Sequence, residues 1–188
     1  MTIAAFVTCD ILDDHPDKDI QVMTPCLDGH FFKSYGAVKS FAGEVVTVKC
    51  FEDNSRVKEL LATDGTGKVL VVDGGGSMRC ALMGDMIAES AVNHHWNGVI
   101  IYGCIRDVDV IASLQIGVHA LASIPLKSNR KGAGEVDLVL KFGGVTIHSG
   151  DFVYADNNGI IFAKEKLAAF KQSLCSNRYN KNDKERIG

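Results

Sequence analysis

The sequence predicts an α/β fold: a central sheet with βαβ crossovers, plus a packed β-rich module. Three observations lead there. Val69-Leu70-Val71-Val72 and Val99-Ile100-Ile101-Tyr102 are unbroken apolar runs, as expected of strands buried on both faces in a parallel sheet. Between them, Ile87, Ala88, Ala91 and Val92 fall on one face of a helix. Beyond Pro125 the pattern changes to short apolar segments split by Gly143-Gly144, Ser149-Gly150-Asp151 and Asp156-Asn157-Asn158-Gly159, which are strong turn signals.

Taken in order, Phe6 to Asp14 reads as a short helix, with Thr8 as its N-cap and His15-Pro16 as its stop. Val22 to Leu27 and Phe31 to Val38 fit loops or short strands. Ala42 to Phe51 reads as a strand through its β-branched Val45, Val46 and Val48. Asp53-Asn54-Ser55 supplies capping side chains for a helix carrying Val57, Leu60 and Leu61. Lys68 to Asp73 is a buried strand, followed by Gly74-Gly75-Gly76 and an extended Arg79 to Met83. A helix starts at Asp85. A strand restarts at Gly98 and is left from Gly103 to Arg106; Asp107 to Leu114 is a short helix and Gly117 to Ile124 a further strand. This alternation implies right-handed crossovers. Lys127 to Gly134 is a polar loop, after which Val136 to Leu140, Val145 to His148, Phe152 to Ala155 and Gly159 to Phe162 read as short strands. Lys164 to Cys175 reads as a final helix. Residues 1–176 are expected to form one domain, and 177–188 a polar tail that is mobile unless a partner subunit holds it.

A chain of 188 residues, 46% hydrophobic, is long enough for one sizeable core. Its net charge of -3 implies no broad basic face, so no direct nucleic-acid partner is expected. Six cysteines are spread without a CxxC pair or a histidine at zinc-ligand spacing, which suits reduced thiols. Met1 to Val7 is apolar but short, lacks a basic flank and precedes the acidic run Asp10 to Asp19, so it is neither signal peptide nor membrane span. A soluble, cytoplasmic protein is the expectation.

Ligands of open α/β sheets collect beyond the carboxyl ends of the strands. Two stretches lie there: Asp73 to Ile87, and Gly103 to Asp107. Gly84, Asp85, Met86 and Ile87 would form a first helical turn whose outward N–H groups suit a carboxylate or phosphate. Arg106 can clamp the same carboxylate with its planar fork. Asp107 can ligate a hard cation such as Mg²⁺, whose other ligands are mostly water. Asp85 can bind metal-bound water or move a proton. Asp85 and Asp107 equally fit helix N-caps, and Arg106 a surface ion pair. The triple glycine lacks GxGxxG spacing and a following Lys-Ser/Thr, which weakens a nucleotide site. His94 and His95 diverge by about 100° on a helix and cannot chelate one ion. Cys104 reads as structural, Asp151 and Asp156 as turn residues, and Trp96 as packing under a helix end.

At these residues the chain resembles the RraA-like proteins, which include the 4-hydroxy-4-methyl-2-oxoglutarate aldolases and the regulator of ribonuclease activity A. The likeness runs from about Cys9 to Phe162. It is carried by Val45 to Asn54, Val69 to Gly76, Ile101-Tyr102-Gly103, Phe142 to Thr146, Ser149-Gly150-Asp151 and Tyr154 to Ile161. It implies a swivelling β/β/α-like fold. Asp85, twenty intervening residues and Arg106-Asp107 match the spacing of the aldolase branch. There the resemblance implies that Gly84, Asp85, Met86, Ile87 and Arg106 hold substrate, with Asp107 holding Mg²⁺ or Mn²⁺. The implied reactions are cleavage of 4-hydroxy-4-methyl-2-oxoglutarate to two pyruvates and decarboxylation of oxaloacetate, with Asp85 and Arg106 in the catalytic roles. Val71 to Ser77 and Tyr154 to Asn157 look more like the regulator branch, which implies binding to an RNase E-type nuclease or RNA helicases. The family forms trimeric rings, sometimes paired into hexamers. Many members carry a methyltransferase label that the lone glycine run does not support.

Overall fold

The computed structural model describes residues 6–24 and 31–167. Its first half contains α1 (Thr8–Asp14), β1 (Ile20–Val22), β2 (Lys33–Ser34), β3 (Phe41–Lys49), α2 (Ser55–Leu60), β4 (Lys68–Asp73), β5 (Ala81–Met83) and α3 (Asp85–Asn93). There follow β6 (Gly98–Ile105), α4 (Val108–Ile111), β7 (Gly117–Ser123), β8 (Glu135–Val136), β9 (Leu140–Phe142), β10 (Val145–Ile147), β11 (Phe152–Ala155) and β12 (Ile160–Ala163).

The parallel strands β3, β4, β6 and β7 lie side by side, in register Val45 to Val69, Val71 to Ile100 and Val99 to Val118. Antiparallel strands extend the sheet at both edges, in the order β1-β12-β11-β3-β4-β6-β7-β2. The β-rich half is therefore mostly an extension of the central sheet. Among the described residues, only the hairpin β9-β10 stands apart as a second layer.

Both faces of the parallel strands are covered, which is why their sequences do not alternate. Leu70, Val72, Val99 and Ile101 pack against Val57 and Leu61 at α2 and Ile87, Ala88 and Ala91 of α3. Val69, Val71 and Ile100, one residue out of phase, pack against Leu140, Phe142, Val145 and Ile147 of the hairpin. Phe41 closes the lower end of that second core. Its ring lies over Gly98 and Gly117, which face each other in register, and a Cβ on either glycine would collide with the ring. Trp96 is buried under the end of α3, and its indole N–H donates to the Thr63 carbonyl at 2.9 Å.

Several expectations are corrected. Thr8 is not an N-cap: Val7 occupies that position, and Thr8 is the first helical residue. Its N–H and hydroxyl both donate to Asp156, at 2.8 Å each, which fastens α1 to the β11–β12 turn. The strand β6 is not left at Gly103 but runs to Ile105, because Cys104 and Ile105 gain partners on β5 and β7. Val136 to Leu140 is not one strand. Asp137 takes a left-handed φ of 59° and separates β8 from β9. Lys164 to Leu167 is not helical. It is drawn along the sheet by Lys164 bonding Asp151 and by the Leu167 N–H donating to the Tyr154 hydroxyl. The remainder of that expected helix, the tail, Cys26 and Cys175 lie outside the described residues.

Two predictions follow from this packing. Phe41→Ala should destabilise the fold by about 3–5 kcal/mol in urea unfolding, since the glycines beneath the ring cannot refill the cavity. Asp156 is the second. Burial alone would raise its carboxyl, but donors from Thr8 and Asn158 outweigh this and hold it below the usual carboxylate range. A lowered folded value stabilises above the unfolded pKa of about 3.9 and is lost as pH falls through the folded value. Asp156→Asn should therefore cost about 1–3 kcal/mol at neutral pH. The gap to the wild type should shrink as unfolding is repeated at progressively more acid pH.

Candidate active site

The site forms because β5 resumes the lane that β4 leaves. β4 pairs with β6 up to Asp73 and Tyr102; β5 then pairs with the same edge, at Ala81 to Cys104 and Met83 to Ile105. The chain between them, Gly74 to Cys80, is a detour. Gly75 and Gly76 each take φ of 66°, a left-handed conformation that favours glycine. The loop's amides are consumed internally. Those of Gly74 and Gly76 donate to the Tyr102 carbonyl, and that of Gly75 donates to Asp73 Oδ1. The amides of the glycine run are therefore spent on the turn itself and are not offered to a phosphate.

Met83 and Ile105 are thus the last paired residues of adjacent strands, and Gly84 and Arg106 are the next in each. The Arg106 N–H donates to the Met83 carbonyl at 2.9 Å. Gly84 caps α3, with Asp85 the first helical residue rather than the cap. Asp107 occupies the cap position of α4 in a left-handed conformation, φ 55° and ψ 39°, with no capping hydrogen bond from its side chain. Its carboxylate turns the other way, toward α3. Oδ2 accepts the Asp85 N–H at 3.3 Å and lies 3.2 Å from Arg106 Nε. Asp85 Oδ1 accepts the Met86 N–H at 2.7 Å. Two of the amides expected to be open at this helix start, those of Asp85 and Met86, therefore meet carboxylates already, at the end where the helix dipole favours negative charge. Gly84 is needed for close approach. A Cβ there would strike Asp107 Oδ2 and lie within 3.1 Å of Arg106 Nε.

Gly84, Asp85, Met86, Ile87 and Arg106 line one cavity of about 400 Å³, with Asp107 at its Arg106 edge. Met86 is 77% exposed, so its side chain is held by no core contact, whereas Ile87 anchors the turn from beneath. The sequence reading missed the opposite wall: Asn54, Lys127, Ser128, Asn129 and Arg130. The signal available was a polar Lys-Ser-Asn-Arg run just after the carboxyl end of β7. This segment lies along β5, where the Ala81 N–H donates to the Leu126 carbonyl and the Ser128 N–H donates to the Ala81 carbonyl. Asp53 pins its far end, accepting the Lys131 N–H at 2.6 Å as well as the Ser55 N–H. Burial would raise the Asp53 carboxyl, but these hydrogen bonds hold it at about 2. The Ser128 hydroxyl is buried in the cavity wall with no hydrogen-bond partner among the described residues.

The cavity thus faces a ligand with Arg106, Lys127, Arg130 and an unpartnered hydroxyl, a set suited to a small dicarboxylate. No group of three or more metal-binding side chains occurs among the described residues. A single projecting carboxylate, Asp107, still fits Mg²⁺, which keeps several waters and takes one or two protein carboxylates. The buried thiols of Cys50 and Cys104 are poor nucleophiles. Burial, with Asp53 and Asp73 nearby, pushes Cys50 up to about 12, and burial raises Cys104. No helix among the described residues is long and apolar enough to cross a membrane.

Comparison with known proteins agrees with this architecture. A protein of Acinetobacter baylyi, named as a candidate 4-hydroxy-4-methyl-2-oxoglutarate aldolase, is 75% identical over 166 residues, covering 88% of this chain and 98% of its own. A crystal structure from Geobacillus kaustophilus, described as an S-adenosylmethionine: 2-dimethylmenaquinone methyltransferase, is 44% identical with a TM-score of 0.81, over 88% of this chain and 99% of that one. The RNA-processing inhibitor RraA from Thermus thermophilis is 39% identical with a TM-score of 0.79, over 89% and 98%. The family model described as RraA-like: Aldolase/RraA matches residues 8–162, and the chain belongs to that family.

Proposed function

We propose that this protein is a divalent-metal-dependent lyase that cleaves 4-hydroxy-4-methyl-2-oxoglutarate to two pyruvates and decarboxylates oxaloacetate. The observation that supports it most is the meeting of Gly84-Asp85 and Arg106-Asp107 across the β5–β6 pair, opposite Lys127 and Arg130. Both substrates are 2-oxo dicarboxylates, and the cavity has cationic side chains on two walls. Arg106 takes the carboxylate next to the 2-oxo group, aided by the positive end of α3. Lys127 and Arg130 take the distal one.

In the cleavage, the C4 hydroxyl loses its proton, the C3–C4 bond breaks, and its electron pair passes into an enolate of pyruvate. C4 becomes the carbonyl of the other pyruvate. Protonation of the enolate carbon completes the second product. Asp85 handles these protons through water, since it lies at the rim of the cavity with one oxygen held by the Met86 N–H. Asp107 would hold Mg²⁺ or Mn²⁺, and the cation would supply positive charge where negative charge develops on the 2-oxo oxygen. Gly84 keeps Asp107 and Arg106 close to the helix start. No lysine Schiff base is required. Assembly into trimeric rings or hexamers belongs to the same reading, with a neighbouring subunit adding to the one-carboxylate metal site.

A second reading is favoured by the 39% identity to the Thermus RNA-processing inhibitor: binding and inhibition of an RNase E-type nuclease or its helicase partners. The two readings separate by mutation. Asp107→Ala should abolish lyase turnover yet leave capture of an RNase E-type enzyme and inhibition of RNA cleavage intact.

The lyase reading is tested by pyruvate release from both substrates. Asp107→Ala should lose the metal requirement together with the rate, by at least about a hundredfold. Arg106→Ala should chiefly raise KM for substrate. Gly84→Ala should lower turnover about 10–100-fold, as expected for displacing a metal-holding carboxylate, while its circular dichroism matches the wild type. Unchanged turnover in Asp107→Ala would contradict the assignment.

A further inference from the structure

A second cavity, of about 510 Å³, lies at the other end of the parallel strands and shares no lining residue with the first among the described residues. It sits between the β2–β7 pair and the β11–β12 turn. His119 of β7 is 3% exposed, and neither of its ring nitrogens has a hydrogen-bond partner among the described residues. Ser34 of β2 is its antiparallel partner in register, so the two side chains share a face of the sheet. The buried Ser34 hydroxyl is also unpartnered among the described residues. Two neighbouring buried polar groups without partners are unusual in a folded protein, and both line this cavity.

The surroundings do not supply what they lack. Phe41 meets the imidazole edge-on, at 5.4 Å between centroids, and fixes the ring without bonding it. Asp156 lies in the wall, but its oxygens already accept from Thr8, Asn158 and Gly159. The ring is kept neutral. Burial, the larger influence, lowers its pKa to about 4, with Asp156 opposing and Lys39 assisting. A neutral imidazole offers one N–H donor, the serine a second, and Lys33 brings a cation with no ion pair among the described residues. Phe31, 62% exposed, and Phe32 supply apolar surface beside these donors.

We propose that this cavity is a second binding site, for a small organic monocarboxylate. Its carboxylate accepts from Ser34 and His119, and its apolar body lies on Phe31 and Phe32. Lys33, which leaves β2 on the opposite face, adds its charge from the exposed rim. The site is independent of the lyase reading, because none of its residues touches the Arg106 cavity.

The test is calorimetric titration of the full chain with sodium benzoate, and with benzyl alcohol as the uncharged control. Saturable benzoate binding is expected, with one site per chain. It should weaken about tenfold or more in Lys33→Ala, an exposed position that leaves the fold unburdened, and also in Ser34→Ala. It should be unchanged in Arg106→Ala, which empties the other cavity of its main anion partner. Three results would each overturn the proposal: no saturable binding at millimolar benzoate, benzyl alcohol binding as tightly as benzoate, or loss of binding in Arg106→Ala with retention in Lys33→Ala.

Discussion

The Arg106 N–H donates to the Met83 carbonyl, at the last rung between β6 and β5. The candidate active site depends on that rung. It places Gly84 and Arg106 as the first residues beyond two adjacent strand ends, so that a helix start and an Arg-Asp pair face each other. Without β5 the lane beside β6 would end at Asp73, and Gly84 would have no fixed relation to Arg106. The Gly74 to Cys80 detour exists to let the chain leave that lane and return to it. Its glycines bend around the Tyr102 carbonyl, and their amides are spent holding the bend. A glycine run that suggests a phosphate loop in the sequence is thus a piece of sheet construction.

A donor count separates structural carboxylates from available ones. Asp53, Asp151 and Asp156 are buried and surrounded by donors: Ser55 and Lys131 for the first, His148 and Lys164 for the second, Thr8, Asn158 and Gly159 for the third. Each fastens one segment to another, and replacing any of them leaves buried N–H groups unpaired. Asp85 and Asp107 are different. They lie at the cavity rim, accept among the described residues only from the α3 start and Arg106, and Asp107 is held in a left-handed backbone conformation. A non-glycine residue in that region costs of order 1–3 kcal/mol and persists where the surrounding structure demands it. Here the conformation turns the carboxylate back toward Gly84 instead of along its own helix.

Much of this was legible in the sequence. The runs 69–72 and 99–102 gave the parallel strands because burial on both faces leaves an unbroken apolar signature. That Asp85 and Arg106-Asp107 meet was legible too, since one helix and one strand return the chain to the same sheet edge. The failures share a cause, which is that they rest on contacts distant in sequence. Thr8 looks like a cap because its hydroxyl suits one, but Asp156 claims it from 148 residues away. The extension of β6 through Cys104 and Ile105 requires β5, whose three residues carry no periodicity of their own. Lys127 to Arg130 read as an ordinary polar loop until the Ala81 backbone brought it alongside the cavity.

The central claim is that a cation held at Asp107 supports cleavage of a dicarboxylate held between Arg106 and the Lys127–Arg130 wall. It is tested most directly by following pyruvate release from 4-hydroxy-4-methyl-2-oxoglutarate with wild-type protein stripped by a chelator, then given back Mg²⁺ or Mn²⁺. The account predicts that turnover is lost on stripping and restored by the cation. Full turnover in the stripped protein, or none after Mg²⁺ and Mn²⁺ are restored, would contradict it.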